Sequence, residues 1–133
     1  MGYYYLTVQD SVKNFVAGKP CRCRDRVIKK TAEGMVYEWR GCKIAKLKDG
    51  RLKLFLPSAN ALTQGTRSAK YFKRVIDAIF QALSFPYEAR YIRNREGFPD
   101  FYICDDKTML ALDYTPVLTG RPLRQELGHE DNV

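Results

Sequence analysis

The spacing of apolar residues changes several times along the chain, and each change marks an element. Val8, Val12, Phe15 and Val16 recur at helical intervals behind Thr7, and Asp10 stands three residues after that threonine as the partner of a capping box. Gly18 suits the left-handed position that ends such a helix, and Pro20 prevents its continuation. From Cys21 to Lys30 the period falls to two. Arg22, Arg24 and Arg26 then share one side, with Cys21, Cys23, Asp25 and Val27 on the other. Thr31 to Gly34 reads as a turn, and Met35 to Lys48 as a second strand segment in which Gly41 marks a bulge or bend.

Asp49-Gly50 is the sharpest local signal, because both residues tolerate the positive φ of a type I′ hairpin turn. That turn places Lys48 opposite Arg51, Lys46 opposite Lys53 and Ile44 opposite Phe55 on one side of a ribbon. Leu47 with Leu52 and Ala45 with Leu54 make the other side, which is expected to face the core. Residues 57–65 read as a loop. A long helix runs from Thr66 to near Ser84, its buried stripe spelled by Phe72, Val75, Ile76, Ile79, Phe80 and Leu83. Strands follow at Tyr87–Arg93, Asp100–Cys104 and Lys107–Tyr114, the last two joined through Asp105-Asp106.

The order of helix, three strands, helix, three strands predicts an α+β fold. It would be a mainly antiparallel twisted sheet of about five to six strands, with one long amphipathic helix packed on a face and a short N-terminal helix. Residues 1–118 form the expected single compact domain, and residues 119–133 a loosely ordered polar C-terminal tail. At 133 residues the chain has room for one core, and 45% hydrophobic with 29% charged residues excludes disordered and collagen-like classes. Met1-Gly2-Tyr3-Tyr4-Tyr5 has neither the basic flank nor the apolar run of a signal peptide, so the expected location is cytoplasmic.

Charge changes the picture more than composition does. Between Lys19 and Lys53 twelve basic residues stand against four acids, a surplus equal to the net +8 of the whole chain. Concentration of this kind points to a polyanionic partner. Like charges directly opposite one another destabilise an antiparallel pair, and here two such pairs follow in succession. An anion bound across the ribbon relieves that repulsion, with Phe55 inside the patch as a stacking surface. Trp39, beside Arg40, offers either a second stacking surface or a core residue.

Reaction chemistry has less support. Cys21, Cys23, Cys42 and Cys104 lack the paired spacing of a zinc site, and in strands Cys21 and Cys23 suit small buried positions. A lone His129 supports no histidine-based triad, and nothing calls for a cofactor or metal. The segment Gly97-Phe98-Pro99-Asp100-Phe101-Tyr102-Ile103-Cys104, leading to Leu110-Ala111-Leu112-Asp113-Tyr114-Thr115-Pro116, resembles the metal-binding hairpin of restriction-endonuclease-like nucleases. That resemblance implies Asp100 and Asp113 as Mg²⁺ ligands, with Thr115 where the family has lysine and Asp77 as the acid of the preceding helix. Residues 41–83, a strand, a tight glycine turn, a strand ending Leu56-Pro57-Ser58, a polar loop and a helix, are similar in pattern to the small nucleic-acid-binding septation regulators of sporulating bacteria.

The leading expectation is a small non-enzymatic protein that binds nucleic acid, single-stranded DNA or RNA in preference to duplex. Its candidate contacts are Arg22, Arg24, Arg26, Trp39, Arg40, Lys46, Lys48, Arg51, Lys53 and Phe55. The alternative is a protein-interaction or inhibitor module that docks the same basic face on an acidic surface of a larger partner. In size and lack of motifs it is similar to phage-encoded counter-defence proteins. A degenerate or active nuclease centred on Asp100 and Asp113 is the third expectation.

Overall fold

The computed structural model describes residues 7–23, 26–55, 66–97, 99–111 and 117–128. Helix α1 (Val8–Ala17) opens with the expected capping box: Thr7 Oγ1 accepts from the Asp10 amide at 3.1 Å, and the Asp10 carboxylate accepts from the Thr7 amide at 3.4 Å. Gly18 closes it at φ +76°. Five strands then run as a meander: β1 (Cys21–Cys23), β2 (Arg26–Thr31), β3 (Gly34–Trp39), β4 (Cys42–Lys48) and β5 (Arg51–Leu54). The long helix α2 (Thr66–Ala82) leads to β6 (Glu88–Arg93), β7 (Pro99–Cys104) and β8 (Met109–Ala111), which form a separate three-stranded antiparallel sheet. Finally β9 (Val117–Leu118) returns to pair with β5, completing a six-stranded antiparallel sheet, and α3 (Leu123–Gly128) follows. The fold is α+β.

Two expected strands are each a hairpin instead. The segment Cys21–Lys30 reverses so that Cys23 pairs with Arg26 and Arg22 with Val27. A reversal exchanges faces, so Arg22 and Arg26 lie on opposite sides of the sheet, whereas an unbroken strand would align them. The segment Met35–Lys48 reverses at Arg40 (φ +52°) and Gly41 (φ +78°), a second type I′ turn rather than a bend. Arginine seldom occupies a left-handed position, and here its guanidinium lies 5.2 Å from the centroid of the Trp39 ring.

Helices α1 and α2 cover the inner face of the large sheet, and α2 also meets β6, so one core spans both sheets. Phe72, Val75, Ile76, Ile79 and Phe80 of α2 are fully buried. Tyr71 stacks on Trp39 of the large sheet at 4.4 Å, and Phe72 meets Phe101 of the small sheet edge-on at 4.7 Å. Ser11 is buried but satisfied, its hydroxyl 2.8 Å from that of Tyr37. Among the described residues no helix is long and apolar enough to cross a membrane.

The segment expected as a loose tail is docked over Thr119–Glu126. Leu123 is fully buried, and its amide donates to Asp105 at 2.8 Å. Glu126 accepts from the Thr119 amide at 2.7 Å and its hydroxyl at 2.6 Å, and Tyr87 donates to the Arg121 carbonyl. One apolar anchor and these bonds to distant residues are invisible to periodicity, which is why a polar segment looked unanchored.

Candidate nucleic-acid interface

The Asp49-Gly50 turn adopts left-handed values at both residues, φ +54° and +76°. The ladder it sets gives four of the five expected rungs: Lys48 opposite Arg51, Leu47 opposite Leu52, Lys46 opposite Lys53 and Ala45 opposite Leu54. Ile44, expected on the outer side opposite Phe55, is instead 2% exposed in the core, because the β3–β4 register shifts there. Leu52, Leu54 and Ala45 point inward and are completely buried. Strand alternation therefore forces Lys46, Lys48, Arg51 and Lys53 onto the outer face together. Across β5, Val117 of β9 sits opposite Lys53 and extends this face with a half-exposed apolar side chain.

A bulge in β4 adds a cation. The β3–β4 register shifts between Tyr37 and Glu38, so Tyr37 faces Ala45 while Glu38 faces Lys43. Without the extra residue, Lys43 would share the inner face with Ala45; the bulge turns it outward. The Phe55 ring lies beyond the end of β5, where its amide donates to the Ile44 carbonyl at 2.9 Å. Lys43 and Lys53 bring their ammonium groups to 5.8 and 5.5 Å from its centroid. The ribbon thus runs from a basic pair at the hairpin tip to an aromatic ring flanked by two cations.

At the tip a shallow cleft of about 360 Å³ is lined by Lys46, Lys48, Arg51, Lys53, Val117, Glu33 and Asp49. Glu33 reaches from the β2–β3 turn to Lys46, with 3.2 Å between carboxylate and ammonium. The hydrogen bond from Lys46 and its charge, aided by Lys43 and Lys48, hold the Glu33 carboxyl below the usual carboxylate range. Lys29 on the same face pairs with Glu38 at 3.1 Å. Among the described residues no carboxylate pairs with Lys48, Arg51 or Lys53.

Of the ten expected contacts, Lys46, Lys48, Arg51, Lys53 and Phe55 come together. Arg22 shares their face three strands away, in the row that passes through Val27 and Glu38 to Lys43. Arg40 occupies the exposed β3–β4 turn. Two expectations are corrected. Trp39 faces the core and is 7% exposed against Tyr71, because Met35, Tyr37 and Trp39 alternate inward. Arg26 pairs with Trp39 and Cys23 on that same inner face, its guanidinium 3.8 Å from the Cys23 sulfur. Arg24 lies outside the described residues. Lys43, Glu33 and Val117 leave no local signal, since they depend on a bulge, a reach from the β2–β3 turn to β4 and a return strand.

The nuclease-like hairpin fares differently. Asp100 is exposed on the outer face of β7 opposite Ile92, and Asp113 lies outside the described residues. Asp77 is committed to structure: its carboxylate accepts from Lys73 at 2.8 Å and from the Ala89 amide at 2.7 Å, tying α2 to β6. Among the described residues no three His, Cys, Asp or Glu side chains gather as metal ligands, and all four cysteines are free thiols. Comparison of the chain with protein families, curated proteins and solved structures finds no match, so the functional argument rests on these side chains.

Proposed function

We propose that the outer face of β4 and β5 binds the phosphate backbone of single-stranded nucleic acid, with Phe55 stacking on a base. The observation that carries this reading is the pair of like-charged rungs, Lys46 with Lys53 and Lys48 with Arg51. Like charges directly opposite one another cost a few tenths of a kcal/mol per rung, and phosphates spaced along the ribbon turn Lys48, Arg51 and Lys53 into attractive contacts. Phe55 favours unpaired bases, because an aromatic ring between cations offers a stacking surface that a closed duplex cannot use.

Fluorescence anisotropy of labelled single-stranded DNA, single-stranded RNA and duplex DNA tests the proposal. Four phosphate contacts, from Lys43, Lys48, Arg51 and Lys53, give a salt slope near −0.7 each. Affinity for single strands should then fall roughly fiftyfold between about 50 and about 200 mM salt. Absence of binding at low salt would overturn the reading in favour of an acidic protein surface as partner. Probe cleavage in the presence of Mg²⁺ would overturn it in favour of the hairpin that carries Asp100.

A further inference from the structure

We infer that Glu33 tunes the affinity of this face by occupying Lys46 in the free protein, so that a phosphate gains Lys46 only by displacing the carboxylate. The inference rests on the ribbon being the nucleic-acid contact.

The β2–β3 turn is built to aim Glu33. Thr31 Oγ1 accepts from the Glu33 amide at 3.1 Å and donates to the Gly34 carbonyl at 2.8 Å, which fixes the turn from within. Gly34 adopts φ +116° and lies so close to β4 that a Cβ there would come within 2.4 Å of the Leu47 carbonyl oxygen and 2.9 Å of Lys48 Cβ. The turn therefore leans on the strand that carries Lys46. The two partners are unequally held: the Lys46 side chain is 23% exposed and that of Glu33 78%. Lys46 stays on the sheet while Glu33 is free to swing into solvent. An exposed pair of this kind is weak, so a phosphate can replace it, and its effect on affinity is modest. Asp49 lines the same cleft without touching Lys46, which makes it a control for net charge.

The test is a double-mutant cycle read by anisotropy on a labelled single-stranded oligonucleotide at low salt. Glu33→Gln should bind about two- to fivefold tighter. Its salt slope should steepen by about 0.7, the signature of one more phosphate contact. Lys46→Gln should change little in the natural background yet abolish the gain in the Glu33→Gln background. Asp49→Asn should show no such dependence on Lys46. The inference is overturned if Glu33→Gln and Asp49→Asn act alike and Lys46→Gln costs the same in both backgrounds. In that case steep salt dependence in the unmodified protein leaves the ribbon reading standing. If neither the unmodified protein nor Glu33→Gln binds the oligonucleotide, the ribbon reading and the inference fall together.

Discussion

The outer faces of the two sheets handle charge in opposite ways. Among the described residues of the small sheet no like charges stand opposite one another: Ile92 faces Asp100, Arg90 faces Tyr102, and Glu88 faces Cys104. Glu88 is also served by two cations, Arg90 at 3.2 Å and Lys73 at 3.8 Å. On the large sheet lysine faces lysine and lysine faces arginine in alternate rungs. Both sheets share one core. The difference follows the sequence, because basic and acidic residues balance outside Lys19–Lys53 and the whole surplus lies within it. The small sheet presents a surface of mixed and paired charge, and the ribbon departs from that pattern.

The comparison breaks most directly by reversing charge on each face. Lys46→Glu, Lys48→Glu, Arg51→Glu and Lys53→Glu together should lower affinity for single-stranded oligonucleotides at least about a thousandfold, since three phosphate contacts are lost and four repulsions are created. Reversing Arg90, Arg95 and Lys107 to Glu, on the small sheet and its turns, should change affinity by less than about threefold. Circular dichroism on both variants checks that the fold is kept. Equal losses from the two sets would mean that net charge, not the ribbon, attracts the ligand.

The small sheet should show the reverse sensitivity. Asp77 accepts from the Lys73 ammonium and the Ala89 amide, and Lys73 donates in turn to the Ala89 carbonyl at 2.6 Å. Asp77→Ala leaves the Ala89 amide without its acceptor and removes one of the partners of Lys73, which should cost about 1–3 kcal/mol in urea unfolding. Oligonucleotide affinity should not move, because Asp77 ties α2 to β6 and not to β4 or β5.

The docked C-terminal segment adds a pH dependence of its own. Burial opposes ionisation of Glu126, but hydrogen bonds from Thr119 and Tyr87 outweigh it and hold the carboxyl below its ordinary 4.5. Amides of Lys107, Leu123 and Thr108 hold Asp105 below its ordinary 3.8. A carboxyl whose folded value is depressed contributes stability above its unfolded value and loses it as pH falls through the folded one. Thermal stability should therefore decline below pH 4.5. Glu126→Gln should flatten that decline and cost about 1 kcal/mol at neutral pH, since its hydrogen bonds lose their charge assistance.

How much of this was legible depends on how local the signal is. The cap at Thr7, the stripe of α2 and the Asp49-Gly50 register each follow from residues within a turn or two, and each holds in the structure. The outward set Lys46, Lys48, Arg51 and Lys53 followed from that register alone. The hairpin at Arg40-Gly41 was hidden because arginine is an unexpected residue for positive φ. The inward turn of Arg26 and Trp39 depended on knowing that two strands were four. Lys43 needed a bulge, and Glu33 a contact across thirteen residues of chain.

The smallest expected effect bears most sharply on the contrast between the faces. Lys53→Glu converts the rung with Lys46 from a repulsive to an attractive pair without touching the core side of β5. Replacing a like-charged rung by an opposite one should stabilise the sheet by a few tenths of a kcal/mol. The same change removes one phosphate contact and one of the two cations beside Phe55, so single-strand affinity should fall about tenfold. Stability and affinity then move in opposite directions from one side chain, as they must if the repulsion is kept for a ligand. A variant that unfolds at lower urea concentration while binding less tightly would show instead that Lys53 serves the fold. The two outer faces would then differ only in composition.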